Sequence, residues 1–265
     1  MSTNSLCDLR DGERLDFINE NLSLIQKKGG LTFGTDAYLL AAFARSAPNK
    51  VCADLGSGTG VISLLCQSKN KYRHVFAVEL QEEFAELIQR NAALNRMDKC
   101  ISVLHMDVRS LIQKDTGGAV GVVLANPPYM PSGSGLSSGD PRMEIARREQ
   151  NGGIYDFCMA ASRLLNTGGF FYTVFRPDRL ADLFSALRAS SLEPKRMITV
   201  YPDPSSRPCL VLVESRKNGS PELLHSQPLI IYKSRNDRTY TAAMQRIYDT
   251  FSAEFLFETG KDISS

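Results

Sequence analysis

The chain has 265 residues, 43% of them hydrophobic and 23% charged, an ordinary globular composition with enough length to bury at least one core. A net charge of +2 and a pI of about 8.2 neither demand nor exclude a nucleic-acid partner, but they argue against coating RNA by charge alone, so any RNA site has to be local. No apolar run is long enough to span a bilayer, and the start carries Asp8, Asp11, Glu13 and Asp16 where an export signal would be cationic and then apolar; a cytoplasmic protein with no membrane partner is expected.

Residues 15–45 precede the main pattern, and 36–45 look helical. Residues 51–55 read as a strand, 61–68 open a helix, 74–80 form a second strand, and 81–95 a helix with Phe84, Leu87, Ile88 and Leu94 at helical spacing. Residues 101–105 and 121–125 are a third and a fourth strand. A Gly/Ser-rich loop over 131–139 leads to Arg142, Arg147 and Arg148. Residues 154–165 predict a helix stopped at Gly168-Gly169, running into a strand over 170–175. Residues 197–201 and 209–214 fit two closing strands, and their short Pro-rich connection suits an antiparallel hairpin at one edge. The tail from Pro221 holds a strand-like run over 229–232 and a helical pattern from Thr241. This βαβαβ rhythm predicts an α/β fold, a mostly parallel sheet with helices on both faces. One domain over 1–265 is expected, with 1–50 leading in and 221–265 packed on it as an extension. The six cysteines, at 7, 52, 66, 100, 158 and 209, form no Cys-x-x-Cys pair and have no His at ligand spacing. Reduced thiols and no metal site are expected.

Two segments carry chemistry. Asp54-Leu-Gly-Ser-Gly-Thr-Gly60 lies between a strand and a helix, and its glycines let the backbone turn sharply and approach a ligand. The spacing is Gly-x-Gly-x-Gly, whereas pyrophosphate binding favours Gly-x-Gly-x-x-Gly. Glu79 ends the second strand, at the place of an acid that meets ribose hydroxyls, and Asp107 follows the third, where a carboxylate can accept from an adenine amino group. Three acids at consecutive strand ends suit the amine, ribose and sulfonium of S-adenosylmethionine and would repel a pyrophosphate.

Asn126-Pro127-Pro128-Tyr129 follows the fourth strand. An amino group on a base or an amide is a poor nucleophile because its lone pair is delocalised, and it is too weakly acidic for a base to help. A pair of acceptors on its hydrogens, the Asn126 side-chain oxygen and the Pro127 carbonyl, holds the nitrogen in line with a methyl group and favours its tetrahedral geometry. The prolines fix the backbone, and Tyr129 can stack on a planar substrate such as a base rotated out of its stack.

With these motifs the chain, from Val51 to about Phe175, resembles the class I methyltransferases of exocyclic amino groups. The flanks Gly30-Leu-Thr-Phe-Gly-Thr-Asp-Ala-Tyr-Leu-Leu-Ala-Ala-Phe43, Val211-Leu-Val-Glu-Ser-Arg-Lys217 and Tyr240-Thr241 are similar to the bacterial family that methylates N6 of the adenine beside the anticodon of valine tRNA. The resemblance implies a Rossmann-like, seven-stranded, mostly parallel sheet with an antiparallel edge hairpin, S-adenosylmethionine as cofactor and tRNA as partner. Carried over by position, Thr35 and Asp36 would lie near the methionine end. Asp54, Gly56, Ser57, Gly58 and Gly60 would wrap the cofactor. Glu79 with Leu80 would hold the ribose, Asp107 with Val108 would face the adenine, and Asn126 through Tyr129 would hold the target amino group. One departure is Arg148, where many relatives carry a His before the Glu.

Alternatives stay open. Thr35-Asp36 is equally a plain helix N-cap. Arg142, Arg147 and Arg148 are either a phosphate-gripping lid or a solvated face paired with Glu144 and Glu149. The motif also serves methylation of an rRNA guanine or of a protein glutamine, although the glutamine enzymes carry an extra N-terminal helical domain. A fold retained without activity, for RNA binding or assembly, is the reading from outside enzymology.

Overall fold

The computed structural model describes residues 9–28, 34–127 and 153–258. Pro128, Tyr129, the 131–139 loop, the three arginines after it and Cys7 lie outside the described residues.

The chain opens with an antiparallel hairpin, β1 (Glu13–Asn19) and β2 (Leu22–Lys27), in a sheet of its own. Then come α1 (Thr35–Phe43), β3 (Ala47–Leu55), α2 (Val61–Ser68), β4 (Tyr72–Glu79), α3 (Glu82–Leu94), β5 (Ile101–His105) and β6 (Val120–Ala125). After the next described stretch begins, α4 (Ile154–Leu164), β7 (Leu165–Phe175), α5 (Leu180–Ala189), β8 (Leu192–Tyr201) and β9 (Leu210–Lys217) follow. The tail adds β10 (Leu224–His225), β11 (Leu229–Ile230) and α6 (Ala242–Thr250).

The main sheet runs β10-β8-β9-β7-β6-β3-β4-β5, with β11 also on β8. Strands β5, β4, β3, β6 and β7 pair in parallel, and β9 enters antiparallel between β7 and β8. The expected seven strands and hairpin are present, and β10 and β11 extend the sheet by pairing in parallel with β8, so the hairpin does not end it. The central strands are buried and mainly apolar toward their carboxyl ends, where both faces are covered. Alternate residues divide accordingly. Cys52, Val122 and Leu124 pack with α1, α2, β2 and α6, whereas Ala53, Leu55, Val123 and Ala125 pack with α4 and α5.

Gly168 and Gly169 do not simply separate a helix from a strand. Leu165 already pairs with Val120 and Phe170 with Val122, so residues 166–169 bulge out of a pairing that starts earlier. Gly168 has φ +79°, which the bulge requires.

Side chains dock the two flanking segments. Asn91 and Asn95 on α3 imitate a neighbouring strand. Asn91 accepts from the Ile25 N–H (2.7 Å) and donates to the Ile25 (3.1 Å) and Thr59 (3.0 Å) carbonyls, and Asn95 accepts from the Ser23 N–H (3.0 Å) and donates to its carbonyl (2.7 Å). The Thr59 bond ties the hairpin's support to the glycine loop. At the other end Thr241 caps α6, accepting from the Met244 N–H at 3.2 Å. Tyr38 of α1 stacks on Tyr248 of α6 (4.5 Å between centroids), Tyr248 on Tyr240 (5.0 Å), and Tyr240 on Tyr232 (5.5 Å), so aromatic contacts fasten the tail to α1. Buried Arg196 reaches Glu214 (3.2 Å) and Glu254 (2.9 Å) beneath the Phe257 ring, a second fastening.

Candidate functional site

Strand order reverses at β3, which pairs with β4 on one side and β6 on the other. In open α/β sheets ligands bind beyond the carboxyl ends of strands at such a point. Leu55 pairs with both Val78 and Ala125, so Gly56, Glu79 and Asn126 leave three adjacent strands at one level. Glu79 pairs with His105, which brings Asp107 to the same rim.

The glycine loop folds back on β4. The Gly56 and Ser57 N–H groups donate to the Val78 carbonyl at 2.9 and 3.0 Å, and Ser57 Oγ donates to the Asp54 carbonyl at 2.8 Å. Gly60 forms the N-cap of α2 at φ +81°, and a Cβ there would come within 2.9 Å of Ile88. Both the left-handed backbone and the close approach of α3 require glycine.

The four acidic or amide groups differ in how far they are already satisfied. Glu79, nearly buried, accepts from the Gly58 N–H (2.8 Å) and the Gln81 N–H (2.9 Å), one bond per oxygen. Asp107 accepts from Arg109 through its backbone N–H (2.8 Å) and its guanidinium (2.6 Å), and the Arg109 contact holds its carboxyl below the usual range. Asp54 is fully buried. Ser63 Oγ donates to its Oδ2 at 2.7 Å, but Oδ1 has no partner among the described residues, and burial pushes its pKa up to about 6. Asn126, half-buried, donates from Nδ2 to Asp36 Oδ2 at 3.0 Å, while its own Oδ1 is a buried acceptor without a partner among the described residues.

Pro127 is buried directly after Asn126. Val108 is buried and its carbonyl accepts from Arg163 at 2.8 Å; Leu80 is exposed, and its carbonyl meets His105 Nε2 at 3.0 Å. Thr35 and Asp36 do not cap α1. Gly34 is the N-cap, and Asp36 sits in the first turn, facing Asn126. Sequence reasoning missed this contact between residues 90 apart, for which no linear spacing exists. The hint available was an acid opening an otherwise apolar helix.

A cavity of about 380 Å³, lined by Arg45, Lys69, Lys71, Phe251 and Glu254, lies at the other end of α1. Lys71 there is committed to the helix terminus, donating to the Ala41 (2.6 Å) and Ala44 (2.5 Å) carbonyls. Among the described residues no cluster of three or more His, Cys, Asp or Glu gathers as for a metal, and no helix is long and apolar enough to cross a membrane.

Residues 26–139 match the methyltransferase small domain family. A tRNA1(Val) (adenine(37)-N6)-methyltransferase of Shigella dysenteriae serotype 1 is 31% identical over 220 residues, which is 81% of this chain and 87% of that protein. The chain belongs to this methyltransferase family. Proteins of the same name from Escherichia coli O157:H7 (30% identical, 59% of this chain) and Bacteroides fragilis (27%, 70% of this chain and 77% of the relative) align over shorter stretches, and the chain spans 63% of the E. coli relative's length. A solved structure described as a predicted O-methyltransferase from Agrobacterium tumefaciens superimposes with a TM-score of 0.65 at 24% identity, covering 83% of this chain and 98% of that one. Methanocaldococcus jannaschii Trm5, in complex with adenosine, gives 0.54 at 16%, covering 79% and 57%. These two likenesses carry the fold of the family, a class I Rossmann-like sheet, and nothing about substrate.

Proposed function

We propose that the protein is an S-adenosylmethionine-dependent methyltransferase acting on N6 of an adenine in tRNA, adenine 37 of valine tRNA, in the cytoplasm, as a single domain with its flanking segments packed on it. The observation that carries the reading is the buried Oδ1 of Asn126, without a partner among the described residues and one strand away from the glycine loop. A buried acceptor costs stability unless a ligand donates to it, and an exocyclic amino group is such a donor. The names of the related proteins support adenine 37.

The residues fit the cofactor. Asp54 Oδ1 is a second buried acceptor without a partner among the described residues, suited to a cationic ligand. Glu79 keeps lone pairs for ribose hydroxyls after receiving two backbone N–H groups, and those bonds fix its carboxylate in place. Asp107 retains acceptor capacity beside Arg109 for an adenine amino group. When bound, S-adenosylmethionine supplies an electrophilic methyl group. Asn126 Oδ1 and the Pro127 carbonyl then hold the two hydrogens of the target amino group, aligning its lone pair and favouring the tetrahedral form it reaches on attack. Tyr129 would stack on the base.

Incubating unmodified valine tRNA with the protein and S-adenosylmethionine, followed by nucleoside mass spectrometry, tests the reading. N6-methyladenosine is expected and should vanish when adenine 37 is replaced. Product from ribosomal RNA or a protein glutamine, with none from tRNA, would refute the substrate.

A further inference from the structure

Asn126 can serve as an acceptor only if its amide is held one way round. A flip by half a turn would present Nδ2 to the target and set donor against donor. Three observations bear on what prevents the flip. Asp36 Oδ2 accepts from Asn126 Nδ2 at 3.0 Å, and Asp36 Oδ1 accepts from the Ala37 N–H at 2.8 Å. Asn126 Oδ1 is buried and has no partner among the described residues. A Cβ on Gly34 would stand 2.3 Å from Asp36 Oδ1, so the N-cap glycine makes room for the carboxylate in this pose.

The geometry points to Asp36 as the positioning residue that fixes the orientation of the Asn126 amide and keeps its oxygen turned toward the target amino group. The inference rests on the methyltransferase reading above. A carboxylate accepts and does not donate, so it selects the orientation in which Asn126 faces it with NH2. Its other oxygen is tied to the first turn of α1, where an acid also suits the positive end of the helix dipole. Donation to a charged acceptor polarises the amide and makes Oδ1 a stronger acceptor. The nearby negative charge further favours the positive charge that grows on the nitrogen as it attacks. Asp36 thus acts on the nucleophile through Asn126, without touching substrate.

This role predicts an inverted order of substitutions. In Asp36→Asn, the Ala37 N–H claims the new amide oxygen, so the new NH2 faces Asn126 and selects the flipped amide. In Asp36→Ala nothing selects either orientation. Asp36→Asn should therefore be the slower variant, with kcat on tRNA down about a hundredfold against about tenfold for Asp36→Ala. A merely structural role would give the opposite order, because Asn is the closer match in size. S-adenosylmethionine affinity by calorimetry should stay within about threefold in both. The double variant Asp36→Asn with Asn126→Asp restores the pattern, since the amide at 36 donates to one oxygen of the new carboxylate and leaves the other as acceptor; it should recover at least about tenfold over Asp36→Asn alone. Asp36→Asn as active as wild type, a double variant no faster than Asp36→Asn, or cofactor affinity falling in step with the rate would each overturn the inference. If wild type itself leaves tRNA unmethylated, the substrate reading fails separately. The lock is then read from the Asn126 side-chain amide signal in ¹⁵N spectra, assigned by its loss in Asn126→Asp. That signal should shift toward the position of free amides in Asp36→Ala, and an unmoved signal would overturn the inference.

Discussion

The two halves of the site rim are built on opposite terms. At the tips of β4 and β5, Glu79 and Asp107 already have their charges answered, by backbone N–H groups in one case and by Arg109 in the other. At the tips of β3 and β6, Asp54 and Asn126 each keep a buried oxygen with no partner among the described residues. The first pair is preorganised and can bind with little rearrangement. The second is incomplete by itself and gains hydrogen bonds when a ligand arrives. Binding shape is thus carried by one half, and the demand for a cation and an amino group by the other.

Removing the open acceptor of the second half should have the largest effect. Asn126→Ala is expected to lower the single-turnover rate of methyl transfer by about a hundredfold or more. Asp54 sharpens the contrast through pH. Its carboxyl sits at about 6 against an ordinary 3.8. A raised acid stabilises the fold fully below its unfolded value, and that contribution is lost as pH rises through the folded one. Asp54→Asn should therefore be more stable than wild type above pH 6 by up to about 3 kcal/mol, with the advantage fading by about pH 4 in denaturant titrations. Over the same window, cofactor affinity of wild type should rise with pH, and Asp54→Asn should flatten the rise.

The committed half should respond differently. Glu79→Gln sets an NH2 against either the Gly58 or the Gln81 N–H, and cofactor affinity by calorimetry should fall about tenfold with little change in saturated rate. Asp107→Asn keeps one acceptor at a half-buried position and should cost the cofactor no more than a few-fold. A loss from Asp107→Asn larger than from Glu79→Gln would break the comparison within that half.

The sequence made much of this legible where one element carries the signal. Residues 61–68 and 101–105 coincide with α2 and β5 because short apolar runs bounded by turn residues leave little choice. The glycine loop was readable since strand, turn and helix are consecutive. The hairpin β1–β2 was not, because Glu13–Asn19 is largely polar and its partner β2 is held by Asn91 and Asn95, far along the chain. Helix α5 is hidden in the stretch between two clear strands, although Leu183 and Leu187 are fully buried at helical spacing. The Asp36 contact, and the division between open and committed acceptors, depend on tertiary placement. Residue type names the acceptors, but only the fold says which of them still lack a donor.

The most direct test sets Asn126→Ala beside Asp107→Asn, measuring for each the single-turnover rate on valine tRNA and the S-adenosylmethionine dissociation constant. The account predicts that Asn126→Ala loses rate while holding cofactor affinity, and that Asp107→Asn loses some affinity while holding rate. An Asn126→Ala protein that transfers methyl groups at the wild-type rate would contradict it.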